Sequence, residues 1–355
     1  MLPTHPGGVT SAVLTDAIEQ FTGVRGYLAA ASIGLPPKRA VAAMRADLDA
    51  WEAADRDPMG YDQTVDNVRA HYARLVGVPA SKVAYATQTS TITSVVAAAA
   101  PDGAEIVCVE GDFTSIVFPF AVRGLNVRSV PLEALAESLT DETWAVSFSL
   151  VQSANGKVAD VDAVIEAAAA HDVLTFCDGT QGIGVHPFDA SRFDVTGCHA
   201  YKWLCSPRGV GFMTLNDRAL DLLTPIHANW YAGGDSRWTN IYGPAMNLAA
   251  DARAFDVSPA WQASAGAEHA VELFAGLDIA EVWERTTALG DALCDGLGIP
   301  QQHQAIVTWP DESGGDVKRL IDNGIKVSGR AGRLRAAFHL WNDESDVDAV
   351  LKTLR

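Results

Sequence analysis

The chain has 355 residues, 48% hydrophobic and 20% charged, enough apolar material for one large core plus a smaller second unit and far too much for a disordered polymer. Its 44 Asp and Glu outnumber 26 Lys and Arg, and a formal charge of −18 argues against nucleic acid or an anionic membrane as a partner. Five cysteines (Cys108, Cys177, Cys198, Cys205, Cys294) occur without a CxxC pair and mostly within apolar runs, the pattern of buried reduced thiols rather than of a disulfide framework or zinc site. Residues 1–8 lack the basic patch and apolar run of a signal peptide, and no uncharged stretch of 18 residues is apolar throughout. The expectation is a soluble, cytoplasmic protein.

In chain order, the turn Gly34-Leu35-Pro36-Pro37 precedes an amphipathic pattern that predicts a helix over 38–54. From residue 82 to 215, short β-branched runs alternate with Ala-rich segments of helical period. Strands are expected over 82–87, 105–109, 127–130, 145–150, 173–178 and 209–215. Helices are expected between them over 91–100, 115–123 and 162–171. Continuous apolar strands separated by helices indicate a mostly parallel sheet covered on both faces, with ligands at the strands' carboxyl ends. Residues 220–261 read as loop, and helix returns from Ala267. Two further strands are expected over 304–309 and 334–339, then a final helix with Asn342 as its N-cap. The expected organisation is a large α/β domain over 15–255 and a smaller α/β domain over 256–355, with residues 1–14 packing on the latter.

The strongest chemical signal is composite. The run Val173-Leu174-Thr175-Phe176-Cys177 ends on Asp178 and is followed by Gly179-Thr180-Gln181-Gly182. Further on come Cys198-His199-Ala200-Tyr201-Lys202-Trp203-Leu204 and Ser206-Pro207-Arg208-Gly209-Val210-Gly211. An acid at the end of a strand sits where a sheet presents ligands, and a lysine in an apolar, aromatic setting loses its proton readily. Pyridoxal 5′-phosphate needs both groups: a carboxylate to keep its ring nitrogen protonated, and an amine to store its aldehyde as an imine.

These segments resemble the class V aminotransferase family of fold-type I pyridoxal-phosphate enzymes, which includes cysteine desulfurases, selenocysteine lyases, kynureninases and isopenicillin N epimerase-like proteins. The resemblance runs from about Gly26 to the C-terminus and is densest at 178–181 and 199–211. It implies that fold: a large domain with a mostly parallel, mixed sheet between helices, plus a smaller C-terminal α/β domain. It implies that Asp178 pairs with the pyridine nitrogen, Gln181 bonds the 3′-oxygen, and Lys202 forms the internal aldimine and later shuttles the Cα proton. Thr89 and Ser90, where a strand runs into a helix start, match the phosphate cradle. Phe113 falls where the family stacks an aromatic ring on the pyridine. Ser153 stands where relatives carry an Asn near the 3′-oxygen, with Gln152 and Asn155 as alternatives. His199 replaces a frequent phosphate-binding Ser, and Tyr201 takes a place often held by His or Tyr. Arg335, in Gly332-Arg333-Leu334-Arg335, matches the arginine that clamps the substrate carboxylate, with Arg333 and Arg330 as competitors. Ser258 matches a residue touching the phosphate of the neighbouring subunit, which implies a homodimer with shared sites.

Persulfide-forming desulfurases of this family carry a cysteine just before the carboxylate arginine, and here Val327-Ser328-Gly329-Arg330-Ala331-Gly332 holds none. That disfavours a persulfide relay, and the resemblance implies a lyase working through an external aldimine and Cα deprotonation to break the C–S bond of a cysteine derivative by β-elimination. Aminotransferase and amino-acid epimerase are alternatives, and an inactive binding subunit on the same fold is the alternative of another class. No metal is expected. Neither GxxxxGK[ST] nor a full GxGxxG occurs to suggest a nucleotide.

Overall fold

The computed structural model describes residues 11–21, 24–234 and 236–355. Residues 1–10 lie outside, so the packing expected of the N-terminal segment concerns only its described end. There Ser11 donates from N–H and Oγ to the Glu281 carboxylate, both at 2.7 Å, and caps helix α1 (Ala12–Glu19).

Helices α2 (Lys38–Glu52) and α3 (Tyr61–Leu75) precede strand β1 (Val83–Ala86). Then alternate α4 (Thr89–Ala99), β2 (Glu105–Val109), α5 (Phe118–Val122), β3 (Asn126–Val130), β4 (Thr143–Ser149), α6 (Val161–Ala170), β5 (Leu174–Asp178), β6 (Val195–His199) and β7 (Gly211–Leu215). The second half holds α7 (Asp217–Leu222), α8 (Trp261–Ala275), α9 (Ile279–Leu297), β8 (Ile306–Pro310), α10 (Gly315–Asp322), β9 (Ser328–Arg330), β10 (Arg333–Ala337) and α11 (Glu344–Leu354).

Strands β1 to β7 form one sheet in the order β1-β7-β6-β5-β4-β2-β3. The neighbours from β6 to β3 all pair in parallel, and β7 runs antiparallel to both β6 and β1. Alternate side chains feed opposite faces. Val107, Phe148 and Cys177 join the core containing Val65, Tyr72 and Ala267 of α3 and α8, while Ile106, Leu174 and Phe176 join the core under α4 and α5. The sheet is thus buried on both sides, as the uninterrupted apolar runs require.

Several details depart from expectation, among them strand β9, which was not anticipated. Strand β6 was not anticipated: Val195-Thr196-Gly197-Cys198-His199 is fully buried between β5 and β7. The helix expected over 115–123 splits, because Pro119 lacks an N–H and fits only the first turn; a short 3-10 turn (Thr114–Ile116) precedes α5. Asn342 does not cap the last helix. Asp343 does, its carboxylate accepting from Ser345 N–H while Asp346 closes a capping box, and Asn342 is buried and donates to Tyr27 O at 3.1 Å.

Strands β8, β10 and β9 form a second, antiparallel sheet with β10 central. A strap over 26–34 runs along it: Leu28 N–H donates to Lys326 O and Ala337 N–H to Leu28 O, at 2.8 and 2.9 Å. Among the described residues, no helix is long and apolar enough to cross a membrane, and no His, Cys, Asp and Glu cluster could hold a metal.

Candidate active site

Because β2, β4, β5 and β6 run parallel, their carboxyl ends open along one edge of the sheet. Asp178 ends β5, His199 ends β6, and Lys202 sits in the turn that follows. Lys202 is 5% exposed, with Nζ 5.2 Å from the centroid of the Phe113 ring and 5.7 Å from that of Tyr201. Burial, opposed by the Asp178 carboxylate and reinforced by Arg335 and Arg330, brings its pKa down to about 8. Gly34 fixes this turn from outside. Its N–H donates to Tyr201 O at 2.9 Å, and a Cβ there would stand 1.9 Å from Lys202 O.

Asp178 is buried and accepts on Oδ1 from Thr180 N–H at 3.0 Å and Thr180 Oγ1 at 2.5 Å. Burial raises its pKa to about 6 against those bonds and the nearby Lys202 charge. The Thr180 hydroxyl also accepts from His199 N–H at 2.9 Å, joining β5 to β6. Thr180 was not singled out from the sequence, although an acid followed two residues later by Thr is the pattern of an Asx-type turn.

The Gln181 carboxamide is held on both sides. Its Oε1 accepts from Trp203 Nε1 at 2.8 Å, and Nε2 donates to Ala31 O and Ser153 Oγ, each at 3.1 Å. Trp203 is held in turn by His339, whose Nε2 lies 2.9 Å from Trp203 O and whose ring stacks on the indole.

Thr89 and Ser90 open α4. Gln88, the N-cap, is extended and makes no side-chain cap, so the first-turn N–H groups have no side-chain acceptor. Thr89 is buried with Oγ1 3.4 Å from Thr180 Oγ1, and Ser90 is half-buried. The His199 ring packs edge-on to Tyr201 at 4.3 Å, and the Arg208 guanidinium lies 5.0 Å from the Tyr201 centroid. Among the described residues, the buried His199 Nε2 has no hydrogen-bond partner. Burial, Arg208 and Lys202 push the imidazole down to about 4, so it is neutral at pH 7. Ser258 is exposed, on a chain pinned to the edge strand β1 by Val257 N–H donating to Tyr85 O at 3.0 Å.

Phe113 is 44% exposed. The preceding residue, Asp112, is a buried hub that the sequence reading missed. It accepts from Phe113 N–H, Ser149 N–H, Ser149 Oγ and Gln152 Nε2 at 2.6, 2.9, 2.6 and 3.0 Å. Gln152 is thereby turned onto Asp112, while Asn155 accepts from Lys157 N–H within its own turn at 3.0 Å. Of the three residues weighed at this position, Ser153 is the one bonded to Gln181.

Arg335, central in β10, is 1% exposed. It donates to Ser328 Oγ (3.1 Å), Ser153 O (2.5 Å), Ser153 Oγ (3.2 Å) and Ser32 Oγ (2.9 Å), and among the described residues it makes no ion pair. Burial and Arg330 lower even this guanidinium to about 10. Arg333 is committed elsewhere, to Thr308 Oγ1 and O at 3.2 and 3.1 Å. Ser32, delivered by the strap 303 positions away in sequence, left no local signal.

All five cysteines are buried and free. Cys205 points at His339, Sγ 3.6 Å from Nε2, and burial holds its thiol well above the usual range. Cys294 lies in α9, and its thiol is also raised by burial.

These residues fit pyridoxal phosphate. An uncapped helix start beside a buried, orphaned imidazole nitrogen suits the phosphate. Asp178 would face the ring nitrogen, Phe113 a ring face, and Lys202 the aldehyde carbon. Arg335, buried without a counter-charge, suits a substrate carboxylate.

The family model for class-V aminotransferases matches residues 27–314. The chain is 26% identical over 236 residues to isopenicillin N epimerase of Streptomyces clavuligerus, covering 61% of this chain and 54% of that protein. It is also 26% identical over 244 residues to kynureninase of Deinococcus radiodurans, covering 64% and 57%. The chain thus spans a little over half the length of these curated relatives. Among solved structures it is similar in fold to the cystine C–S lyase C-DES complexed with cysteine persulfide. The TM-score is 0.84, with 19% identity and 94% and 97% of the two chains covered.

Proposed function

The chain belongs to the class-V aminotransferase family, with pyridoxal 5′-phosphate as cofactor, and from that premise we propose that it is a lyase cleaving the Cβ–S bond of a cysteine derivative without a protein-bound persulfide. The observation that carries this reading is the convergence of a buried amine near pKa 8, a buried carboxylate and an uncompensated buried guanidinium, with no thiol on the β9–β10 hairpin.

Bound pyridoxal phosphate supplies an electrophilic carbon for an amine and a sink for negative charge developing at the substrate's Cα. The protein does the rest. Lys202 Nζ would hold the cofactor at its aldehyde carbon, and as a buried amine of lowered pKa it would take the Cα proton. Asp178 stabilises positive charge on the ring nitrogen. Thr89, Ser90, His199 and Tyr201 hold the phosphate end, and Gln181 with Ser153 the side of the 3′-oxygen. Phe113 covers the ring and limits water. Arg335 fixes the substrate carboxylate and so the direction of the Cα–H bond. The pair from the Cα–H bond would form the Cα=Cβ bond as the Cβ–S pair leaves with sulfur, the Lys202 ammonium would return its proton to the thiolate, and water would hydrolyse the released enamine to pyruvate and ammonia. We further propose that the protein is cytoplasmic and works as a homodimer, in which the exposed Ser258 reaches the neighbour's phosphate.

The test is to incubate the holoenzyme with cysteine thioethers and with alanine. Stoichiometric pyruvate, ammonia and thiol from a thioether are expected. Conversion of the cofactor to its amino form with release of a keto acid would replace the lyase with an aminotransferase. Racemised amino acid without elimination would indicate an epimerase.

A further inference from the structure

We propose that the site accepts an amino acid carrying a second anionic group, a carboxylate or sulfonate on its side chain, and that Arg330 holds that group. The inference rests on the reading of Arg335 as the seat of the α-carboxylate.

β9 and β10 pair in the register Ser328↔Arg335 and Arg330↔Arg333. Side chains alternate across a sheet, and residues opposite one another share a face, so Ser328, Arg330, Arg333 and Arg335 lie on the same one. On that face Ser328 Oγ accepts from Arg335 Nε, and Ser153 and Ser32 meet the rest of the guanidinium. Two of the three arginines are engaged, Arg335 by hydroxyls and a carbonyl and Arg333 by Thr308. Arg330 is not. It stands beside the turn at Ala331 and Gly332, is exposed, donates to the adjacent Gly329 O at 2.7 Å, and makes no ion pair with a described carboxylate. Its charge nevertheless depresses the pKa of both Lys202 and Arg335, as a cation facing the mouth of the site would. A substrate with one carboxylate matches Arg335 and leaves Arg330 to water. A short diacid matches both, and an arginine fork is suited to either anion.

The test uses acids without an amino group, which bind but do not react. Succinate and glutarate are titrated calorimetrically into the holoenzyme beside propionate and butyrate, for the wild type, Arg330→Gln and Arg330→Lys. Expected is a preference for a diacid over its monoacid of about fivefold, the scale of one partly exposed ion pair. Arg330→Gln abolishes the preference while monoacid affinity stays within about twofold, and Arg330→Lys keeps part of it. Equal binding of diacids and monoacids by the wild type overturns the inference, as does an Arg330→Gln variant that weakens both alike. A wild type that binds no carboxylate, with Arg335→Gln unchanged from it, removes the reading of Arg335 as well, a result distinct from loss of the preference alone.

Discussion

Lys202 gives up its proton easily because its ammonium has left water, a penalty that the Asp178 carboxylate offsets only in part while Arg335 and Arg330 add like charge. The move from the ordinary 10.5 to about 8 corresponds to roughly 3 kcal/mol. Below pH 8 folded and unfolded chains both carry the proton, and the whole penalty is present. Between pH 8 and 10.5 only the unfolded chain remains protonated, so stability rises with pH across that window. Cofactor-free Lys202→Met is therefore expected to be more stable than the cofactor-free wild type at pH 7, with the gap narrowing towards pH 10.5. Denaturant unfolding at both pH values checks this, and a gap independent of pH would contradict it. Gly34 makes a second residue-level prediction. Since a Cβ would strike Lys202 O, Gly34→Ala must push the strap or the lysine turn aside. Expected are a loss of about 1–3 kcal/mol and weaker cofactor retention, measured by unfolding and by dialysis of the holoenzyme.

At the scale of elements, the segment leading into α8 is fastened to β1 by a buried ion pair. Arg69 of α3 donates to both Asp256 oxygens at 3.0 and 2.7 Å, and Tyr85 N–H donates to the same carboxylate at 2.7 Å. Asp256→Ala strands a buried guanidinium and an N–H, and is expected to destabilise by about 3–5 kcal/mol, measured by chemical denaturation. Much of the sheet was legible in the sequence. β2 lies where its apolar run places it, and β1, β4, β5 and β7 are shifted by one to two residues. β6 was not legible, because Gly197 and polar Thr196 and His199 break the apolar pattern. A Cβ at Gly197 would meet Phe176 and Ile92 atoms at 3.4–3.5 Å, ordinary contact, so packing does not demand the glycine. The site divides in the same way. Asp178, Gln181 and Lys202 lie within 25 positions in recognisable contexts. Ser32 on Arg335, Trp203 on Gln181 and Asp112 on Gln152 are contacts between distant or featureless positions, and no local periodicity encodes them.

At the scale of the whole molecule, a chain of net charge −18 gathers Lys202, Arg208, Arg330 and Arg335 at one edge of its large sheet, with Asp178 the carboxylate acting on the lysine. An acidic surface keeps anions away in general, while a cationic mouth concentrates them locally. That contrast suits an anionic cofactor and a carboxylate-bearing substrate. The second sheet supplies the arginine, the first supplies the lysine and the acid, and the strap 26–34 is bonded to both through Ser32, Ala31 and Gly34. The central claim is that this convergence places the cofactor covalently on Lys202. The most direct measurement is borohydride reduction of the protein loaded with pyridoxal phosphate, followed by proteolysis and mass mapping. The account predicts a single reduced phosphopyridoxyl adduct on the peptide containing Lys202, absent from Lys202→Ala. An adduct on another lysine, or none in a protein saturated with pyridoxal phosphate, would contradict it.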